Sequence, residues 1–127
     1  MSPELIELAK AAAALPGWEW RRGMWIQTEE DGDCVWAPLT PCDPPWMTLD
    51  CSDRGPGDDD VLDLTDPATG GALLGLLGPG VTTDRPSAWR VVVREGGHVV
   101  AAERGATLGE ACARAALALG RWPGGAP

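Results

Sequence analysis

Trp89-Arg90-Val91-Val92-Val93-Arg94-Glu95-Gly96-Gly97-His98-Val99-Val100-Ala101-Ala102-Glu103 decides the fold. Two runs rich in β-branched and small apolar residues flank Gly96-Gly97. A tight hairpin turn needs φ > 0, and glycine supplies it without steric cost, so the segment reads as a β-hairpin. A two-residue turn pairs Arg94 with Val99, Val92 with Ala101 and Arg90 with Glu103. Strand alternation then puts Trp89, Val91 and Val93 on one face and Arg90, Val92 and Arg94 on the other. Beyond Arg104-Gly105, the run Thr107-Leu108-Gly109-Glu110 has the form of a capping box, in which hydroxyl and carboxylate each satisfy a free N–H. The helix that follows carries Leu108, Ala111, Cys112, Ala115, Leu119 and Trp122 at helical spacing, with Glu110, Arg114 and Arg121 outside. Hairpin and helix each need cover for an apolar face. This ββα unit is therefore the expected core.

Upstream, Ser2-Pro3 opens a helix with a hydroxyl N-cap and proline at N1, and Pro16-Gly17 closes it. Leu5, Leu8, Ala9, Ala12 and Leu15 share one face, and Glu4, Glu7 and Lys10 another. Met24-Trp25-Ile26-Gln27-Thr28 and Cys34-Val35-Trp36-Ala37 read as a second hairpin around Asp31-Gly32. A two-residue turn would set Glu30 against Asp33, which predicts a wider loop. From 38 to 60 the chain is rich in Pro and Asp and lacks periodicity, as a long surface loop does, with Trp46, Met47 and Leu49 as its anchor. Val61-Leu62-Asp63-Leu64 returns to the core. Asp66-Pro67 caps a helix that buries Leu73, Leu74 and Leu77 and stops at Gly78-Pro79-Gly80. Its glycines, Gly70, Gly71 and Gly75, predict close packing on the sheet. Val81 to Ser87 reads as a loop, and 123–127 as a flexible tail. The order αββαββα predicts an α+β domain over residues 1–122. Its two hairpins would merge into a four-stranded antiparallel sheet flanked by helices, an α/β/α sandwich with a long Pro/Asp-rich loop.

The 127 residues include seven Trp and neither Phe nor Tyr, so the core must be built from Leu, Val, Ala and Trp. Twelve carboxylates between Glu29 and Asp66 face Arg54 alone, a net of −11, whereas seven carboxylates and nine Lys and Arg leave the remainder at +2. The global charge of −9 thus belongs to one segment on a mildly basic frame. Direct DNA or RNA binding is not expected with this balance. No apolar run reaches the roughly 20 residues of a membrane span, and Met1-Ser2-Pro3-Glu4 does not open a signal peptide. No membrane contact is expected. The cysteines (Cys34, Cys42, Cys51, Cys112) lack the short spacing of a zinc knuckle. Even with His98 they are read as free, partly buried thiols rather than metal ligands.

Several stretches together resemble a known family. They are Leu15-Pro16-Gly17-Trp18-Glu19-Trp20 with Gly23-Met24, Asp66-Pro67-Ala68-Thr69 with Leu73-Leu74 and Leu77, and Trp89-Arg90-Val91. Gly105-Ala106-Thr107-Leu108-Gly109-Glu110-Ala111 and Arg114-Ala115-Ala116-Leu117 complete the pattern. They resemble the small tailed-phage proteins of the phage ABA sandwich domain family, over most of the chain outside 38–60. The resemblance implies a sandwich fold, a bacteriophage origin, a workplace in the cytoplasm of the bacterial host and a role against host antiviral defence. It brings no catalytic residues.

No G-x-S-x-G, Walker loop or H-E-x-x-H is present, so no catalytic residue, cofactor or metal is assigned. His98 beside Gly96-Gly97 reads as an exposed turn residue. Two binding surfaces stand out. Trp18, Trp20, Arg21, Arg22, Trp25, Arg90 and Arg94 combine indole faces, which stack on nucleobases, with guanidinium forks, which hold phosphates. They predict sequestration of a small nucleotide immune signal without cleavage. The alternative uses Trp46, Met47, Asp58, Asp59 and Asp60 as an acidic surface that blocks a basic, nucleic-acid-binding host defence protein. The same acidic run makes a metal-dependent enzyme the third choice. A homo-oligomer is compatible with either binding role.

Overall fold

The computed structural model describes residues 3–18, 24–30, 33–41, 46–48, 61–85 and 87–125, with the strands between 25 and 48 described by backbone alone. Its class is α+β. The described elements are α1 (Pro3–Ala13), β1 (Trp25–Glu30), β2 (Asp33–Pro41), β3 (Trp46–Thr48), β4 (Val61–Leu62), α2 (Pro67–Leu77), β5 (Val81–Asp84), β6 (Trp89–Glu95), β7 (His98–Gly105) and α3 (Leu108–Leu119).

The β6–β7 hairpin forms around Gly96 and Gly97, at φ 58° and 82°, the two positive values that a type I′ turn requires. Arg94 pairs with Val99 as expected. One step further the ladder shifts: Val93 faces Ala101, so Val100 is an extra residue on β7, a β-bulge. Val92 therefore faces Ala102 rather than Ala101, and Arg90 faces Arg104 rather than Glu103. Simple counting back from the turn cannot anticipate an inserted residue. The stretch 81–87, expected as a loop, contributes β5, which pairs antiparallel with β6 through Val81↔Val93, Thr82↔Val92, Thr83↔Val91 and Asp84↔Arg90. Val81-Thr82-Thr83 is β-branched throughout, and that signal outweighed its short length.

α3 packs on β6 and β7, and both α1 and α2 pack on α3. Cover on several sides explains why Gly109, Ala111, Cys112, Ala113, Ala115 and Ala116 are all buried rather than a single stripe. Small side chains let four elements approach one helix. Thr107 is the N-cap, its hydroxyl accepting from Glu110 N at 3.2 Å and donating to Leu64 O at 2.7 Å. Glu110 returns the bond to Ala106 N at 2.7 Å, one residue before the cap. Asp66 caps α2 by accepting from Ala68 N and Thr69 N at 2.9 and 3.1 Å. Gly70 lies against Leu108 and Gly109 of α3, not on the sheet, and Gly71 has open space where a Cβ would stand.

Two hairpins exist, but they do not merge. β5–β6–β7 is a three-stranded sheet, and the backbone of the earlier strands pairs in the order β3-β2-β1-β4. Both outer edges of the β1–β2 hairpin are taken, β2 by β3 and β1 by β4, and β5 takes the outer edge of β6. Of the described hairpin strands β7 alone keeps an open edge, and it finds no hairpin edge free to meet it. A local strand closes a short loop and loses less chain entropy than a distant hairpin would. Two corrections follow within 38–60: Pro38–Pro41 continue β2, and Trp46–Thr48 form β3. The backbone register Glu30↔Asp33 also replaces the expected wider loop, since it leaves only two residues between the strands. No described helix is long and apolar enough to cross a membrane.

The core joins Leu62, Leu64, Leu73, Leu76, Leu77, Val91 and Val93 to Met24 and Trp122. The stretch expected to be a flexible tail is tied down through Gly125. Trp122 is 2% exposed and donates from Nε1 to Ala12 O at 2.8 Å, while Gly124 N donates to Leu76 O at 2.6 Å.

Candidate functional site

Because α3 covers the Val91/Val93 face of the β5–β6–β7 sheet, the opposite face carries Thr82 and Asp84 of β5, Arg90, Val92 and Arg94 of β6, and Val99, Ala102 and Arg104 of β7. Direct cross-strand partners share a face in an antiparallel ladder, so Asp84, Arg90 and Arg104 form one row across all three strands. Arg90 and Asp84 make an ion pair, NH2 to Oδ2, and both side chains are nearly half exposed. Arg90 Nε is shielded from solvent and has no hydrogen-bond partner among the described residues. Arg104 is exposed. Arg94 donates from NH1 to Thr82 Oγ1 at 3.0 Å. Arg94 lies four positions from Arg90 along the strand, about 13 Å away.

These contacts define a basic, open face. Three guanidinium groups share it with a single carboxylate, and two of them sit opposite one another. At one end of the sheet, Arg85 stacks over the Trp89 ring with its guanidinium carbon 5.2 Å from the centroid, a cation–π contact. At the other, Glu95 pairs with Arg121 just beyond α3.

Of the residues proposed to bind a nucleotide, Arg90 and Arg94 lie on this face. Trp18 does not. Its ring meets Trp122 at a centroid distance of 5.5 Å and a tilt of 54°, on the helical side of the sheet and against the core. Trp18 and the two arginines are thus not brought together. Trp25 begins β1, described by backbone alone, and Trp20, Arg21 and Arg22 lie outside the described residues. In the alternative set, Trp46 and Met47 are the first residues of β3, and Asp58, Asp59 and Asp60 lie outside the described residues.

Arg104, Asp84 and Thr82 belong to the face and were not singled out from sequence. Arg104 was hidden by the bulge, since an unbroken ladder would set Glu103 beside Arg90. Asp84 and Thr82 were hidden by treating β5 as loop. His98 is exposed beside the turn and pairs in register with Glu95. Among the described residues no group of three His, Cys, Asp or Glu side chains could hold a metal ion. Cys112 is a free thiol inside α3, and burial pushes its pKa up to about 12. At neutral pH it is a protonated packing group, not a nucleophile.

Comparison with protein-family models, curated proteins and solved structures finds no match to this chain.

Proposed function

We propose that this chain is a binding protein that holds an anionic nucleotide on the outer face of the β5–β6–β7 sheet and acts by sequestering it. One observation carries the proposal. The bulge at Val100 sets Arg104 directly opposite Arg90, with Asp84 the one carboxylate in that row. Like charges across a ladder cost stability, and an anion bridging them removes the cost. The sequence resemblance to the phage ABA sandwich family supplies the setting: a phage protein that withholds a nucleotide signal of host antiviral defence.

Native mass spectrometry of the protein isolated from cells carrying a nucleotide-based defence system tests the proposal. A co-purifying nucleotide is expected, lost in the double variant Arg90→Glu, Arg104→Glu. A nucleotide retained unchanged by the double variant, or no mass addition together with no binding to a panel of nucleotides by titration calorimetry, would sink it.

A further inference from the structure

We infer that Arg90 and Arg104 clamp one phosphomonoester dianion, and that Asp84 is an internal counter-ion which that phosphate must displace; this rests on the nucleotide-binding proposal above. Residues directly opposite on adjacent antiparallel strands have Cβ atoms about 5 Å apart. Two guanidinium forks at that spacing converge on one phosphate. Arg94 stands about 13 Å from Arg90 along β6 and already donates to Thr82, so the clamp has two arginines and not three.

The state of Arg90 makes the exchange with Asp84 favourable. Its contact with Asp84 runs through NH2, while Nε is shielded and without an acceptor among the described residues. A donor left unmet out of water carries a penalty that a better-placed acceptor relieves. With Asp84 in place the row Asp84–Arg90–Arg104 has a net charge of +1, and with Asp84 turned away it has +2. A phosphodiester carries one negative charge, no more than the carboxylate it would replace. A terminal phosphate carries close to two, with three acceptor oxygens for two forks. Charge therefore selects the monoester. Asp84 sets the threshold: a weak anion does not dislodge it, and a dianion does.

Titration calorimetry in phosphate-free, low-salt buffer tests this with 5′-AMP and 3′,5′-cyclic AMP as probes, on the intact protein and on Asp84→Asn and Arg104→Gln. 5′-AMP should bind about tenfold more tightly than the cyclic diester, Asp84→Asn should tighten 5′-AMP about tenfold, and Arg104→Gln should reduce it to the diester level. Asp84 lies on the surface, so Asp84→Asn keeps its fold, which far-UV circular dichroism checks. The Arg90 Nε–H resonance gives a second readout and should shift on adding 5′-AMP but not on adding the diester. Equal binding of the two probes, or an Asp84→Asn variant that binds no better, overturns the clamp and leaves nucleotide binding standing. Absence of binding by either probe to all three proteins also overturns the clamp, and nucleotide binding falls with it when the wider nucleotide panel and native mass spectrometry are negative too.

Discussion

Gly109 and Gly71 both sit inside helices, yet substitution by alanine should move stability in opposite directions. A Cβ at Gly109 would run into the carbonyl of Leu64, a backbone group that cannot step aside. Gly109→Ala should therefore cost about 1–3 kcal/mol, the range of overpacked cores. A Cβ at Gly71 meets nothing within 4 Å, so Gly71→Ala should gain about 0.5–1 kcal/mol from helix propensity and a less flexible unfolded chain. Urea midpoints of the two variants check both signs. Cys112 supplies a pH test. Its thiol is pushed by burial from an ordinary value of 9.0 up to about 12. Above pH 9 the unfolded chain gives up the proton while the folded chain keeps it. The contribution of Cys112 is thus complete below pH 9 and is lost as pH rises toward 12, at about 1.4 kcal/mol per unit. Relative to Cys112→Ala, the wild type should show a steeper fall of urea midpoint across that window. Parallel curves would refute it.

At the scale of elements, the cap of α3 joins two parts of the chain. The Thr107 hydroxyl both accepts from Glu110 N and donates to Leu64 O, 43 positions away in sequence. Thr107→Ala should cost about 1–2 kcal/mol, because a free helix N–H and the Leu64 carbonyl lose their partner together. Thr107→Ser should recover most of that loss, measured by chemical denaturation. The sequence announces this cap through Thr107 and Glu110, but not the tie to Leu64, which depends on where β4 delivers the chain. The same division runs through the candidate site. The Gly96-Gly97 turn and the Arg90/Val92/Arg94 face were legible from local pattern. The β7 bulge was not, because nothing in His98–Arg104 marks Val100 as the extra residue, and the bulge decides whether Arg90 faces a carboxylate or a second arginine.

For the molecule as a whole, Trp122 is the fastening. It donates to Ala12 O, packs on Trp18, and its backbone N donates to Pro16 O at 2.9 Å, so the end of the described chain holds the end of α1. Gly124 reaches the C-terminal end of α2 in the same way through Leu76 O. Trp122→Ala should cost about 3–5 kcal/mol, a large share of the 5–15 kcal/mol typical of a domain. Trp122→Phe should cost less, since the ring volume is largely kept, and what remains of the cost is the lost donor to Ala12 O. Hydrogen exchange should show α1 losing protection first in Trp122→Ala, ahead of β6 and β7. Equal loss across α1 and the sheet would mean that α1 is held by something other than this residue.

Local chemistry in the sequence determined what depends on neighbours a few positions apart. The turn at Gly96-Gly97, the caps at Asp66 and Thr107, the extents of the helices and the inward side of β6 all belong there, because each is set by backbone torsion or side-chain periodicity. Tertiary structure alone decided which strands share a sheet, which glycines are crowded, and that Trp18 belongs to the core while Arg90 and Arg94 stand on the opposite, open face. Those outcomes depend on competition between distant segments for the same edge or the same volume. The juxtaposition of Arg90 with Arg104 is of that kind: a one-residue insertion in a ladder turns a neutral pair into two facing cations, and with them a candidate site for an anion.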